Sequence, residues 1–173
     1  MDTPIIVSAL FGPADQAWFD EQRRTYFPPE RNQLRAHLTL FHHLPPSVAR
    51  ELCDLLVELT REPRPPARLA GLLNLGRGVA YRVESEELAA ARGHLAERFA
   101  PLLLPQDQQG WRPHVTIQNK AAPVEARALL ARLQGEFVPR PLVVAGLAAW
   151  WYRGGPWELL KAVAYRGEKL PKL

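Results

Sequence analysis

Cysteine is almost missing from this sequence. Its 173 residues include one, Cys53, so no disulfide can close within the chain and no cysteine-based zinc site can be built. Cys53 lies in Glu51-Leu52-Cys53-Asp54-Leu55-Leu56, where it reads as a packing residue of an amphipathic helix. Long hydrophobic runs are also lacking. The longest spans residues 142–152, far short of the roughly 20 residues a membrane helix needs. The opening Met1-Asp2-Thr3-Pro4 has no basic segment, and the apolar stretch after it is too short to complete a secretion signal. A reducing, cytoplasmic setting is expected, with no membrane contact. Charge of one sign does not dominate either. Lys and Arg number 22 against 18 Asp and Glu, a net charge of +4. That excess suits an anionic partner such as phosphate or nucleic acid, and it equally suits an ordinary soluble protein.

What is present is a globular composition, 47% hydrophobic and 23% charged, which can fill a core. The length fits a single domain over residues 1–173. The β-branched run Ile5–Phe11 reads as a buried strand. Pro13 can open a helix at its first position, and Ala14, Trp18, Gln22 and Tyr26 follow at helical spacing. Residues 33–44 read as a second strand, and Ser47 as the cap of the next helix, whose face is Val48, Leu52, Leu55, Leu56 and Leu59. A hairpin is expected around Gly76-Arg77, then a helix with the face Leu88, Ala91, Leu95 and Phe99, then a loop over 101–110. Residues 112–120 read as a strand, Ala126 to Leu133 as part of a helix, and 141–166 as a closing hairpin around Gly154-Gly155-Pro156. A unit of strand, helix and hairpin thus occurs twice, over 37–84 and 114–166.

The chemistry sits in a motif that also occurs twice: His37-Leu38-Thr39-Leu40 and His114-Val115-Thr116-Ile117. Alternate strand residues share a face. Leu38 and Leu40 would point to the core, and His37 and Thr39 would share the open side. Val115 and Ile117 would do the same for His114 and Thr116. Extended by parity, the open stripes are Arg35, His37, Thr39, Phe41, His43 and Arg112, His114, Thr116, Gln118, Lys120. Two facing stripes of this kind would cradle one phosphodiester. Cleaving it needs a base for the attacking oxygen and an acid for the leaving one, and histidine titrates nearest neutrality. The hydroxyls of Thr39 and Thr116 would hydrogen-bond the non-bridging oxygens.

These paired motifs, and the proline before the second (Arg112-Pro113-His114), resemble the 2H phosphoesterase superfamily, specifically its 2′-5′ RNA ligase-like branch. The resemblance covers nearly the whole chain. It implies an α+β fold of two lobes with pseudo-two-fold symmetry, two antiparallel sheets facing a central cleft and helices outside. It implies opening of 2′,3′-cyclic phosphates on RNA ends or small nucleotides, or reversible 2′-5′ RNA ligation, by a monomer with no metal or nucleotide cofactor. His37 and His114 become the acid–base pair, with Thr39 and Thr116 as phosphate binders. Where bacterial ligase-like members often carry an Arg shortly after the second motif, this chain has Gln118-Asn119, and Lys120 could supply the charge.

Other readings accompany these. A non-catalytic RNA- or nucleotide-binding module of the same fold would not require two imidazoles. His37, His42 and His43 together suggest a metal cluster, but His37 and His42 have opposite parity and converge only if a bulge intervenes. Phe41 could stack on a base. In the late aromatic cluster of Trp111, Trp150, Trp151, Tyr152 and Trp157, the expected cleft wall is Trp150 or Tyr152. Arg35, His43, Arg112 and Lys120 complete the candidate substrate contacts.

Overall fold

The computed structural model describes residues 3–173, so the first two residues of the expected domain, and part of the leader reading, fall outside it. Its elements are β1 (Ile5–Phe11), α1 (Pro13–Tyr26), β2 (Leu38–Leu44), α2 (Ala49–Leu59), β3 (Arg68–Asn74), β4 (Val79–Glu84) and α3 (Glu86–Arg98). Then follow α4 (Pro105–Gln108), β5 (His114–Gln118), α5 (Pro123–Glu136), β6 (Arg140–Pro141), β7 (Val144–Trp151) and β8 (Glu158–Ala164). They form two four-stranded antiparallel sheets, β2-β1-β7-β8 and β5-β4-β3-β6. The architecture is α+β, as the family resemblance implied. No helix among the described residues is long and apolar enough to cross a membrane.

Local chemistry explains most boundaries. Pro13 and Pro123 each occupy a helix's first turn, where a missing N–H costs nothing. Ser85 caps α3, its Oγ accepting from the Leu88 N–H at 3.1 Å, and Glu86 and Glu87 favour the positive end of the helix. Gly76 turns the β3–β4 hairpin at φ 81°, a conformation that favours glycine.

The two sheets exchange parts. The hairpin β3–β4, which follows β2 in sequence, pairs with β5, while β7–β8, which follows β5, completes the sheet of β2. One apolar cluster runs through both sheets, from Val7, Leu38 and Phe41 to Leu69, Val79, Val115 and Ile117. Each fully buried leucine, isoleucine or phenylalanine there contributes roughly 1.5–3 kcal/mol.

Four expectations change. Residues 33–37 are not strand, because α1 takes the backbone groups a ladder would use. Asp20 Oδ1 accepts from the Ala36 N–H at 2.8 Å, and Gln16 Nε2 donates to the Ala36 carbonyl at 2.9 Å. Ser47 caps nothing; it sits inside a 3-10 turn, Pro46–Val48, that leads into α2. The loop after α3 contains the short helix α4. The strand pattern also breaks after each motif. Ser8 pairs with Thr39 but Val7 with Phe41, and Ala80 pairs with Thr116 but Val79 with Gln118. Leu40 and Ile117 are therefore the extra residues of two equivalent β-bulges.

Candidate active site

His37 lies just before β2 and His114 opens β5. The loop carrying His37 is pinned by the Asp20 and Gln16 bonds from α1. Each imidazole is then oriented in the same way. His37 Nδ1 donates to the Arg35 carbonyl at 2.8 Å, and His114 Nδ1 donates to the Arg112 carbonyl at 2.7 Å. A carbonyl only accepts, so Nδ1 carries the proton in both rings and Nε2 is the free nitrogen. His37, Thr39, His114 and Thr116 line one cavity of about 320 Å³. The open faces of the two strands therefore meet.

Strand alternation holds as far as each threonine and fails beyond it. Phe41 was expected on the open face; after the bulge at Leu40 it is fully buried, with the Arg92 guanidinium 4.4 Å from its ring centre. His43 was expected there too, yet it lines none of the cavities beside the motifs, and His42 takes its place. The second bulge likewise buries Gln118 and turns Asn119 outward. The parity argument that kept His42 from His37 thus fails at this bulge. Among the described residues, no three His, Cys, Asp or Glu gather in a way that could hold a metal.

The outer candidates divide. Arg112 lines the motif cavity. Lys120 and Tyr152 line an adjoining cavity of about 440 Å³ that shares His37, His42, Thr116 and Trp157 with the first. Arg35 is absent from both of these cavities, and its guanidinium is tied down: its Nε meets Asp20 Oδ2 at 3.1 Å and the group also bonds the Lys172 carbonyl. At positions 35 and 112 it is the backbone carbonyl that serves the imidazole. Trp150 lines a third, mostly apolar cavity of about 230 Å³ that shares His37 and Trp157 with the motif cavity, and it donates from Nε1 to Ser8 Oγ at 2.9 Å. The aromatic residues lining the motif cavity are Trp111 and Trp157, and the Trp157 ring centre is 4.6 Å from that of His37.

Sequence reading also missed a ring of supporting groups. Arg23, 4% exposed, donates from Nη1 to the Thr116 carbonyl at 3.1 Å and from Nε to Asn32 Oδ1 at 3.0 Å. Arg92, 9% exposed, donates from Nε to the Leu40 carbonyl at 3.1 Å and from Nη2 to the Asp107 carbonyl at 2.8 Å. Trp111 Nε1 donates to the Thr39 carbonyl at 3.0 Å. A signal existed for both arginines. Arg23 falls four residues after Phe19, and Arg92 four after Leu88, each on a buried helix stripe where a charge is out of place. Asp107 accepts at both oxygens from the His42 N–H (3.0 and 2.9 Å), at Oδ2 from the His43 N–H (3.0 Å) and at Oδ1 from His42 Nδ1 (2.9 Å).

Electrostatics differ from group to group. Burial drives the His37 imidazole down to about 4; the Arg35 carbonyl opposes this, and Arg23, His114 and His42 add to the depression. Burial would raise the Asp107 carboxyl, but the His42 side chain and the two backbone N–H donors outweigh it and hold the group below its ordinary range. Burial lowers Arg23 to about 10 against the pull of Asp20, so it stays cationic at neutral pH.

Two antiparallel sheets that bring paired His-x-Thr strands to one cavity form the 2H phosphoesterase fold of the LigT-like kind. The family model of the 2′-5′ RNA ligase superfamily matches residues 11–156, and the chain belongs to that superfamily. Its fold matches that of TT0787 of Thermus thermophilus, with a TM-score of 0.64 and 21% identity over 96% of this chain and 100% of that one. It also matches E. coli LigT complexed with phosphate, with a TM-score of 0.52 and 18% identity over 94% and 97% of the two chains. For E. coli LigT complexed with 3′-AMP the values are 0.52 and 18%, over 99% and 100%. No curated protein sequence matches this chain.

Proposed function

We propose that this chain is a metal-independent phosphodiesterase that opens 2′,3′-cyclic phosphates on RNA ends or small nucleotides. The observation that carries this is the matched pair of imidazoles, each donating Nδ1–H to the carbonyl two residues earlier and each leaving Nε2 free beside one shared cavity. His37, neutral above about pH 4, is the base. His114 is the acid. The oxygen of a water molecule bonds to phosphorus, and its proton passes to His37 Nε2. The bond from phosphorus to one ribose oxygen breaks, and that oxygen takes the Nε2 proton of His114, which enters the step as the doubly protonated imidazolium and leaves it neutral. Thr39 and Thr116 donate hydrogen bonds from their hydroxyls to the non-bridging oxygens as charge builds there. The phosphate and 3′-AMP complexes of LigT support a phosphate-bearing nucleotide as ligand. The family's name favours a second reading, in which a ribose hydroxyl replaces water and a 2′-5′ linkage forms.

The test is hydrolysis of nucleoside 2′,3′-cyclic monophosphates and a cyclic-ended oligonucleotide, with EDTA present. His37→Ala and His114→Ala should each lose about 10²–10⁴-fold in kcat while keeping the wild-type thermal unfolding curve. Full activity in either variant would remove the acid–base assignment. Loss of wild-type activity on adding EDTA would replace it with metal chemistry.

A further inference from the structure

The catalytic scheme uses one cavity, yet His42 belongs to two. Its side chain is 46% exposed, and its ring is held from behind by Asp107, itself 2% exposed. With Nδ1 on the carboxylate, Nε2 makes no hydrogen bond among the described residues. An Asp-held imidazole is oriented and biased toward carrying its proton on Nδ1. A phosphate beside Nε2 would accept a charge-assisted hydrogen bond from the protonated ring.

The cavity beyond His42 is suited to supply that phosphate. Its cationic lining comes from three separate places, Arg23 on α1, Arg31 and Lys120. Among the described residues, Asp107 is the one acidic group lining either cavity, and its charge is already taken up by His42 and two backbone donors. Lys120 adds an independent observation. At φ 59° it is the one non-glycine residue with positive φ among those described. Left-handed backbone is unfavourable for lysine, and such strain concentrates where a side chain must be aimed. The strained residue lies two positions past the end of β5 and lines the second cavity. Tyr152 and Trp157 give that cavity flat apolar surface as well.

We propose that this adjoining cavity is a second phosphate-binding subsite, with His42 and Lys120 as its specificity-determining residues, and that it takes the phosphate on the 5′ side of the nucleotide whose cyclic phosphate is opened. The inference rests on the reading of the motif cavity as the scissile-phosphate site. It makes the enzyme select nucleotides that carry two phosphates over those that carry one. The 5′ group is either a terminal phosphomonoester or the diester linking a preceding nucleotide; both place the same anion at Nε2.

Binding tests this without turnover. Dissociation constants would be measured by titration calorimetry for adenosine 3′-phosphate, adenosine 3′,5′-bisphosphate and the dinucleotide ApAp. One charge-assisted contact corresponds to about a tenfold change in affinity. Wild type should bind the bisphosphate about tenfold more tightly than the monophosphate or better. His42→Gln and Lys120→Gly should each cut that ratio several-fold, and glycine tolerates the left-handed backbone at 120, so the fold survives the change. His43→Gln, on the neighbouring residue outside both cavities, should leave the ratio intact. A matching gain for ApAp assigns the site to the internucleotide diester; a gain confined to the bisphosphate assigns it to a terminal phosphate. A wild-type ratio near one, or a ratio that survives either His42→Gln or Lys120→Gly, overturns the subsite. The ratio is independent of the hydrolysis assay. Intact hydrolysis with a ratio of one defeats the subsite alone, and a His42-dependent ratio without hydrolysis defeats the proposed reaction alone.

Discussion

His37 is half-buried at the cavity, and burial disfavours its charged form. Trp157 covers one side of the ring, and the field of Arg23, His114 and His42 opposes protonation. An ordinary imidazole titrates near 6.5, whereas this one is lowered to about 4. The sign follows directly. Above about pH 4 the ring is neutral and Nε2 is available as base; below it the base is lost. The acid limb of kcat/KM should therefore fall near pH 4 and not near 6.5, as read from a pH–rate profile or from NMR titration of the His37 Cε1–H. Burial is the largest cause, so Trp157→Ala should move the limb upward toward the ordinary value. An unmoved limb in that variant would show that another group sets it. Stability is linked in the same direction. The unfolded chain takes up a proton at this position below about 6.5 and the folded chain only near 4, so protonation erodes stability as pH falls between those values.

At the scale of elements, what could be read from the chain was the period, and what could not was its interruption. Alternation assigned His37, Thr39, His114 and Thr116 to one cavity because it holds as far as each threonine. It misassigned Phe41, His43 and Gln118 because Leu40 and Ile117 are bulged, and a bulge is a property of the ladder with a neighbour distant in sequence. The same limit explains Trp157. Its place beside His37 depends on β8 joining the sheet of β2, which no local pattern encodes. Arg92 and Arg23 were legible in principle, as cations on apolar helix stripes. The second bulge also has a visible requirement. A Cβ at Gly78 would lie 1.8 Å from the Gln118 carbonyl oxygen, so Gly78→Ala must force β4 and β5 apart at the point where β5 is bulged. A loss of about 3 kcal/mol or more is expected in urea unfolding. Gly93→Ala, in α3 with nothing within 4 Å of its Cβ, should instead be neutral or stabilise by up to about 1 kcal/mol. Equal effects from the two would mean that the bulge does not depend on that close approach.

For the molecule as a whole, the question is what keeps two sheets in register across a cavity that must stay open. Crossed braces answer it. Helix α1 joins strands of the first sheet but packs against β5 of the second, and its Arg23 bonds the Thr116 carbonyl. Helix α3 joins strands of the second sheet, and its Arg92 bonds the Leu40 carbonyl of β2 in the first. Each motif strand is therefore held at or next to its threonine by a guanidinium from the other half. Arg92 also fixes α4 through the Asp107 carbonyl, and its charge rests on the faces of Phe41 and Trp111. Arg92→Met keeps most of the apolar stem and removes the fork. Two buried carbonyls then lose their donor, at about 1–3 kcal/mol each, so a total of about 2–6 kcal/mol should appear in the urea midpoint. The catalytic effect should exceed what lost stability explains. Motif strands free to shift by a fraction of an ångström misplace the acid against the base, and kcat/KM should drop more than about tenfold under conditions where the variant is fully folded. Arg92→Lys should restore little, because a single ammonium cannot span both carbonyls. The contrast is Arg24→Met, which breaks the exposed 2.5 Å pair with Glu21 and should change stability by less than about 1 kcal/mol. If Arg92→Met behaved like Arg24→Met in both measurements, the two halves would be held together by the apolar core alone, and the crossed arginines would be incidental to the alignment of His37 with His114.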